Sequence, residues 1–270
     1  MTISNKWNEI VECYGLTKDP SDGNYMLVMN KFNTDLRSYM QQNNDQLTWK
    51  ERIQIAHKTS LALRRIHEEN AIHRDLHSGN VLCKQYWNIS DLGFCGPADK
   101  SSMKIYGNLP YIAPEVISGK EYTFKSDIYS FAMLMWEISA GRPPFSEYKH
   151  DFDFVMNVIS GMRPKVVLGA PLEYERLMKQ CWDADPLKRP DSLTVLKKLG
   201  EINIHYNQNI QNESFQPEVN INNDLNTKYT SRPFGSKIHQ FKNIPEPKNA
   251  TEGIILYYLI INLFYFKNIY

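Results

Sequence analysis

Charge of one sign is what this sequence has least to spare. Over 270 residues, 31 Lys and Arg stand against 30 Asp and Glu, for a formal net charge of +1. No bulk attraction to nucleic acid or to an anionic membrane follows, so no nucleic-acid partner is expected. Cysteine is scarce. The four present, Cys13, Cys83, Cys95 and Cys181, lack metal-ligand spacing and are too sparse for a disulfide framework. A reducing compartment, the cytoplasm, is the expectation. The opening MTISNKWNEI holds no apolar run and does not read as a signal peptide. No internal repeat is visible, and nothing before Val11 resembles a glycine-rich phosphate loop.

What is present is enough apolar content, 42%, for a sizeable core in one large domain or two small ones. The chain is organised around IHRDLHSGNVLCKQYWNISDLG, Ile72 to Gly93. Asp75 sits in a tight loop, Asn80 follows five positions later, and Asp91 lies beyond two short apolar runs. Any one of these alone reads as loop polarity between a helix and a hairpin. Together they are the set that phosphoryl transfer needs: a carboxylate to take or orient a hydroxyl proton, and oxygen ligands for magnesium.

Around that stretch the elements are legible. Val11 to Leu16 and Tyr25 to Met29 read as strands joined by the turn residues Asp19 to Asn24. Thr48-Trp49-Lys50-Glu51 has capping-box spacing, and Trp49, Ile53, Ala56, Leu63 and Ile66 keep a helical period behind it. Val81 to Lys84 and Trp87 to Ser90 read as two short strands. Lys125 to Ala140 is apolar on nearly every face, which places it mid-core, with Gly141 and Pro143-Pro144 as its stop. Asp127 near its start is then a buried carboxylate that needs partners, unless it only caps its own helix. Helices are predicted over Phe152 to Ser160, over Leu172 to Trp182, and after Asp191.

The order His73-Arg74-Asp75-Leu76, Asn80, Asp91-Leu92-Gly93 resembles the eukaryotic protein kinases. The resemblance continues through Ala113-Pro114-Glu115, Ser126 to Phe131, Cys181-Trp182 and Arg189-Pro190, covers about residues 8 to 200, and looks nearest to the tyrosine-kinase-like group. It implies an α+β, protein-kinase-like fold: mainly the α-helical C-lobe (33–200) with a remnant N-lobe hairpin and hinge (8–32). It implies an enzyme that moves the ATP γ-phosphate to a protein hydroxyl, with Mg2+ as cofactor and ATP and a protein substrate as partners. Asp75 would be the base, with Arg74 and His73 in its motif. Asn80 and Asp91 would hold magnesium. Met29 would be the gatekeeper, Asn30, Lys31 and Phe32 the hinge, and Leu82 the apolar floor under adenine. Asp127 would accept backbone N–H groups of the catalytic loop, and Glu115 and Arg189 would form a buried ion pair. Ser101, Ser102 and Tyr106 are candidate phosphosites in an exposed activation loop, with plain loop polarity as the alternative for the two serines.

The departures from the family matter. No Val-Ala-Ile-Lys strand and no helix with a partner Glu is present, and the one lysine upstream, Lys6, sits in no strand pattern. Leu92 replaces the usual Phe, His77 stands where serine/threonine kinases carry Lys, and Gly96 stands where a second basic residue usually supports an activation-loop phosphate. Serine/threonine specificity is expected from the group, and a non-catalytic, partner-binding pseudokinase or truncated C-lobe is the alternative. Residues 201–252 read as an Asn-rich disordered linker. In the tail, 253–270, the apolar run Gly253 to Phe266 is shorter than the ~20 residues of a spanning helix. It is expected to pack on the helical lobe or to be an out-of-place segment, with membrane association through 253–266 as the alternative.

Overall fold

Asp19 turns the chain back on itself. Its carboxylate accepts the Ser21 amide at 2.8 Å and its own amide reaches the Asn24 carbonyl at 2.8 Å. This closes β1 (Cys13–Lys18) onto β2 (Tyr25–Met29) as an antiparallel ribbon. Tyr14, Leu16, Tyr25, Met26, Leu27, Val28 and Met29 are all exposed on it. The computed structural model describes residues 3–93, 95–97, 105–209, 236–241 and 244–249.

The rest is a helical body carrying small sheets. β3 (Thr34–Asp35) leads into α1 (Leu36–Asn43), which Asp35 caps by accepting the Ser38 amide at 2.9 Å. Thr48 and Glu51 form the expected capping box at the start of α2 (Trp49–Glu68). Its Ile53, Ala56, Leu63 and Ile66 are buried. β4 (Ala71–Ile72), β5 (Val81–Cys83) and β6 (Trp87–Ile89) follow, and β3, β5 and β6 form one antiparallel sheet in that order. β7 (Gly96–Pro97) pairs with β4. The N-terminal segment lies along β6: the Val11 amide donates to the Ile89 carbonyl at 2.9 Å, and the Ile89 amide to Glu9 at 3.1 Å. Trp7 sits under the Arg65 guanidinium, 4.2 Å from ring centroid to carbon.

After β8 (Ile105–Gly107) come α3 (Pro114–Ile117) and α4 (Phe124–Ala140). Every α4 residue from Ser126 to Ser139 is buried, which is why its sequence carries no polar face. Gly141 ends it in the left-handed conformation, φ +72°. α5 (Phe152–Ile159), α6 (Leu172–Cys181) and α7 (Ser192–Asn209) complete the body. Tyr174 of α6 reaches the Met135 carbonyl of α4 at 2.9 Å and meets Trp49 of α2 edge-on at 5.7 Å. The layout is α+β with a helical lobe and small sheets.

Two stretches differ from the sequence reading. α7 runs to Asn209, past the boundary at 200, because Leu199, Ile202 and Tyr206 extend its apolar stripe through Asn-rich surroundings. Residues within 201–252 also pack on the body. β9 (Lys237–His239) pairs with β8, Phe241 and Ile244 lie against the core, and the Lys248 amide donates to the Ile159 carbonyl at 2.8 Å. A few anchors in a polar stretch are enough for this, and average composition hides them. Among the described residues no helix is long and apolar enough to cross a membrane. The apolar run 253–266 lies outside the described residues.

Candidate active site

Asp127 is where the site begins. It sits at the start of α4, 1% exposed, and Thr123 rather than Asp127 caps that helix. Its carboxylate is thereby left for the loop after β4. One oxygen accepts the His73 amide at 2.8 Å and His67 Nε2 at 3.0 Å; the other accepts the Arg74 amide at 3.0 Å. A buried carboxylate with three donors is fully compensated, and the helical core dictates the loop's path. Arg74 is held at φ +69°, a conformation that non-glycine residues rarely adopt.

His73 is fully buried. Its Nδ1 accepts the Asp75 amide at 3.3 Å, so Nε2 carries the proton and donates to the Ser90 carbonyl at 3.0 Å. It orients Asp75 and does not face the opening. Asn80 ties the same loop from the other side, its amide nitrogen donating to the Asp75 carbonyl at 2.9 Å. The Ser90 amide donates to the Asn80 carbonyl at 2.8 Å, which brings Asp91 to the edge of the site. Asp91 is exposed, at φ +54°. Asp75 and Asn80 are thus tied within one loop, and the Asp91 carboxylate is near enough to act on the Asp75 charge.

Asp75 is 4% exposed. Oδ1 accepts a hydrogen bond from Ser236 Oγ at 2.7 Å, while Oδ2 is buried with no hydrogen-bond partner among the described residues. Burial pushes its carboxyl above the ordinary value. The hydrogen bond from Ser236 draws it back, and the Asp91 carboxylate adds to the rise. His77, 7% exposed, is held neutral: burial first, then the nearby Arg37 guanidinium, lower it to about 3. Its Nε2 stands 3.7 Å from Asp75 Oδ1, but a neutral ring at that distance makes no ion pair.

A magnesium ion fits this donor set. Asn80 has committed its amide nitrogen, leaving the side-chain oxygen, and Asp91 presents an exposed carboxylate. Among the described residues no cluster of three His, Cys, Asp or Glu could cage a metal alone. That suits an ion held by one carboxylate, an amide and substrate phosphates.

The remaining predicted residues are scattered around this centre. Met29, Asn30 and Lys31 are exposed and Phe32 half-buried; Asn30 and Phe32 line a groove of about 360 Å³ with Trp7, Lys84 and Tyr86, away from Asp75. Leu82 is half-buried in β5, opposite Asn88 of β6. Lys6 is engaged elsewhere, 2.6 Å from Glu69 at the end of α2. Glu115 and Arg189 form a buried bidentate pair at 2.6 and 2.7 Å. Ser101 and Ser102 lie outside the described residues. Tyr106 is not in an exposed loop: it is half-buried in β8, its amide donating to the Tyr122 hydroxyl at 3.0 Å. A Cβ at Gly96 would stand 2.7 Å from Arg74 Nη1, the movable end of a long side chain. No local signal in the Asn-rich stretch could have marked Ser236.

Comparison with known proteins agrees with this geometry. A family model described as protein tyrosine and serine/threonine kinase matches residues 1–199. Stress-activated protein kinase alpha of Dictyostelium discoideum is 31% identical over 220 residues, 75% of this chain and 34% of that protein. The dual specificity protein kinase zakA of the same organism is 34% identical over 178 residues, 58% of this chain and 23% of that protein. A putative serine/threonine-protein kinase/receptor, R818, of Acanthamoeba polyphaga mimivirus is 34% identical over 159 residues, 57% of this chain and 10% of that protein. The chain therefore spans from a tenth to about a third of the length of these relatives. With the matched residues enclosing the whole constellation from Arg74 to Arg189, the chain belongs to the protein tyrosine and serine/threonine kinase family.

Proposed function

We propose that the site moves the γ-phosphoryl group of ATP to a protein hydroxyl, in signalling, with serine or threonine as the acceptor and the tyrosine-kinase-like group as the nearest relation. The observation that carries this is the Asp75 carboxylate accepting a serine hydroxyl at 2.7 Å, with Asn80 and Asp91 beside it. Asp75 takes the hydroxyl proton as the oxygen–phosphorus bond forms, and ADP departs with the broken bridge oxygen. His73 and Asn80 hold the Asp75 backbone, and Asp127 holds the His73 and Arg74 amides. Asn80 and Asp91 are the residues that would hold magnesium, which when bound offsets charge on the phosphates. Met29, Asn30, Lys31, Phe32 and Leu82 are proposed to meet the nucleotide base. Arg74 would meet a phosphate on Ser101 or Ser102.

A second reading, a non-catalytic partner-binding module, is favoured by one specific arrangement. The chain holds no glycine-rich loop, and Lys6 is engaged with Glu69 rather than with the site. Positioning the phosphates is most of what phosphoryl-transfer catalysis requires. The isolated chain is accordingly expected to bind Mg-ATP on the order of millimolar, worth ~4 kcal/mol, with no detectable transfer to generic substrates. Calorimetry and a radiolabel transfer assay decide between the readings. Asp91→Ala should abolish the binding, and Asp75→Asn should leave it nearly intact. Micromolar binding with transfer would make the chain a working kinase by itself. In a chain that does turn over, near-normal turnover of Asp75→Asn would remove the base role.

A further inference from the structure

Ser236 lies 161 positions from Asp75 in sequence and touches it in space. Its hydroxyl donates to Asp75 Oδ1 at 2.7 Å and meets His77 Nε2 at 3.1 Å. The Gly79 amide donates to His77 Nδ1 at 3.1 Å, so Nε2 carries the ring proton and donates to the serine oxygen. The serine hydroxyl has one proton and two lone pairs. The proton points at Asp75, and the oxygen lies within hydrogen-bond reach of both His77 and the Tyr106 side chain. A hydroxyl aimed at the carboxylate in this way is how an acceptor would meet the base.

The backbone on both sides supports the same placement. β9 pairs antiparallel with β8 in the register Gly107↔Lys237, Tyr106↔Ile238, Ile105↔His239, and the His239 ring reaches back to the Gly107 carbonyl at 3.1 Å. Gly107 passes beside the carboxylate at φ +133°, where a Cβ would stand 3.2 Å from Asp75 Oδ1. Any side chain there would crowd the arriving hydroxyl. Further along, the Ser118 hydroxyl donates to the Pro245 carbonyl at 3.0 Å and Lys120 pairs with Glu246 at 2.7 Å, so the strand is anchored on both sides of residues 242–243.

We propose that residues 236–239 are a tethered acceptor strand: the chain's own segment fills the groove between β8 and Asp75, the place of an extended serine-bearing protein substrate. This rests on the kinase reading for the identity of the groove. It also gives a physical ground for serine over tyrosine. With the backbone paired to β8, a serine side chain spans the gap to Asp75, whereas a tyrosine hydroxyl stands a full ring further from its Cα. An outside substrate has to displace the tethered strand, so the segment is a competitive brake on the site.

Two measurements on the full chain test this without requiring phosphate transfer. Hydrogen exchange at 105–107 should be slow in the intact chain and at least tenfold faster in Lys237→Pro, which removes an amide from β9. A fluorescein-labelled peptide of residues 232–241 should bind Lys237→Pro and Ser236→Asp at least tenfold more tightly than the intact chain, since each variant frees the groove, the second by setting a carboxylate against Asp75. The same peptide with tyrosine at the serine position should bind the variants at least tenfold more weakly. Equal exchange in the intact chain and Lys237→Pro would overturn the proposal. So would equal peptide affinity for all three proteins, or a tyrosine peptide bound as tightly as the serine one. If peptide and exchange behave as expected while phosphate never transfers, the kinase reading fails and the occupied groove stands.

Discussion

At His77 a single residue ties acid sensitivity to the site. The imidazole is buried near the Arg37 guanidinium, and its folded value of about 3 lies below the ordinary 6.5. A depressed histidine contributes stability that is present above 6.5 and is lost as pH falls from 6.5 toward 3, because the unfolded chain takes the proton first. His57 and His239, also lowered by burial, act in the same direction. Asp75 and Glu137, raised by burial, act oppositely and recover stability as pH falls through their folded values. Comparing the chain with its His77→Asn variant cancels these other groups. Between pH 7 and pH 5 the parent should lose about 2 kcal/mol more than the variant, from roughly 1.5 pH units at 1.36 kcal/mol each. Denaturant titrations at the two pH values measure it, and parallel losses would show that His77 protonates as readily in the folded chain.

At the scale of elements, β1 and β2 stand apart from everything else. A lone two-stranded ribbon is marginal in water, and this one exposes apolar side chains on both faces. Its amides should exchange orders of magnitude faster than those of α4, whose residues from Ser126 to Ser139 are all buried. Matched rates would mean that the ribbon is covered in solution. The ribbon was legible in the sequence, as were the capping box at Thr48 and the helix expected over Lys125 to Ala140 and found over Phe124–Ala140, because turn chemistry, capping spacing and apolar period are local signals. The tie between Asn80 and the Asp75 carbonyl falls within one short loop, so both residues could be singled out from local spacing. What escaped notice depends on distant partners. β9 forms only because β8 offers an open edge, Tyr106 is half-buried only because Tyr122 and β9 cover it, and the role of Ser236 exists only next to Asp75. No window of sequence around residue 236 contains that information.

The whole molecule is clasped by Arg189. Its guanidinium grips Glu115, 74 positions away, in a bidentate pair and also donates to the Asp183 carbonyl at 2.7 Å and the Lys125 carbonyl at 2.8 Å. Both charged groups are buried, at 1% and 3% exposure. Removing one leaves the other stranded, which costs ~3–5 kcal/mol. Arg189→Ala should therefore melt far below the parent in calorimetry, while an unchanged melting temperature would mean that Glu115 finds water or another partner.

The grip of Asp127 on the loop at His73 and Arg74 has a consequence for how the protein comes apart. The carboxylate belongs to the most deeply buried helix, and the amides it holds belong to the loop bearing Asp75. Core and chemistry therefore share one cooperative unit. The loop's geometry is not a layer that can soften while the body stays intact. It is complete only when α4 has docked, and it is surrendered only when the body lets go.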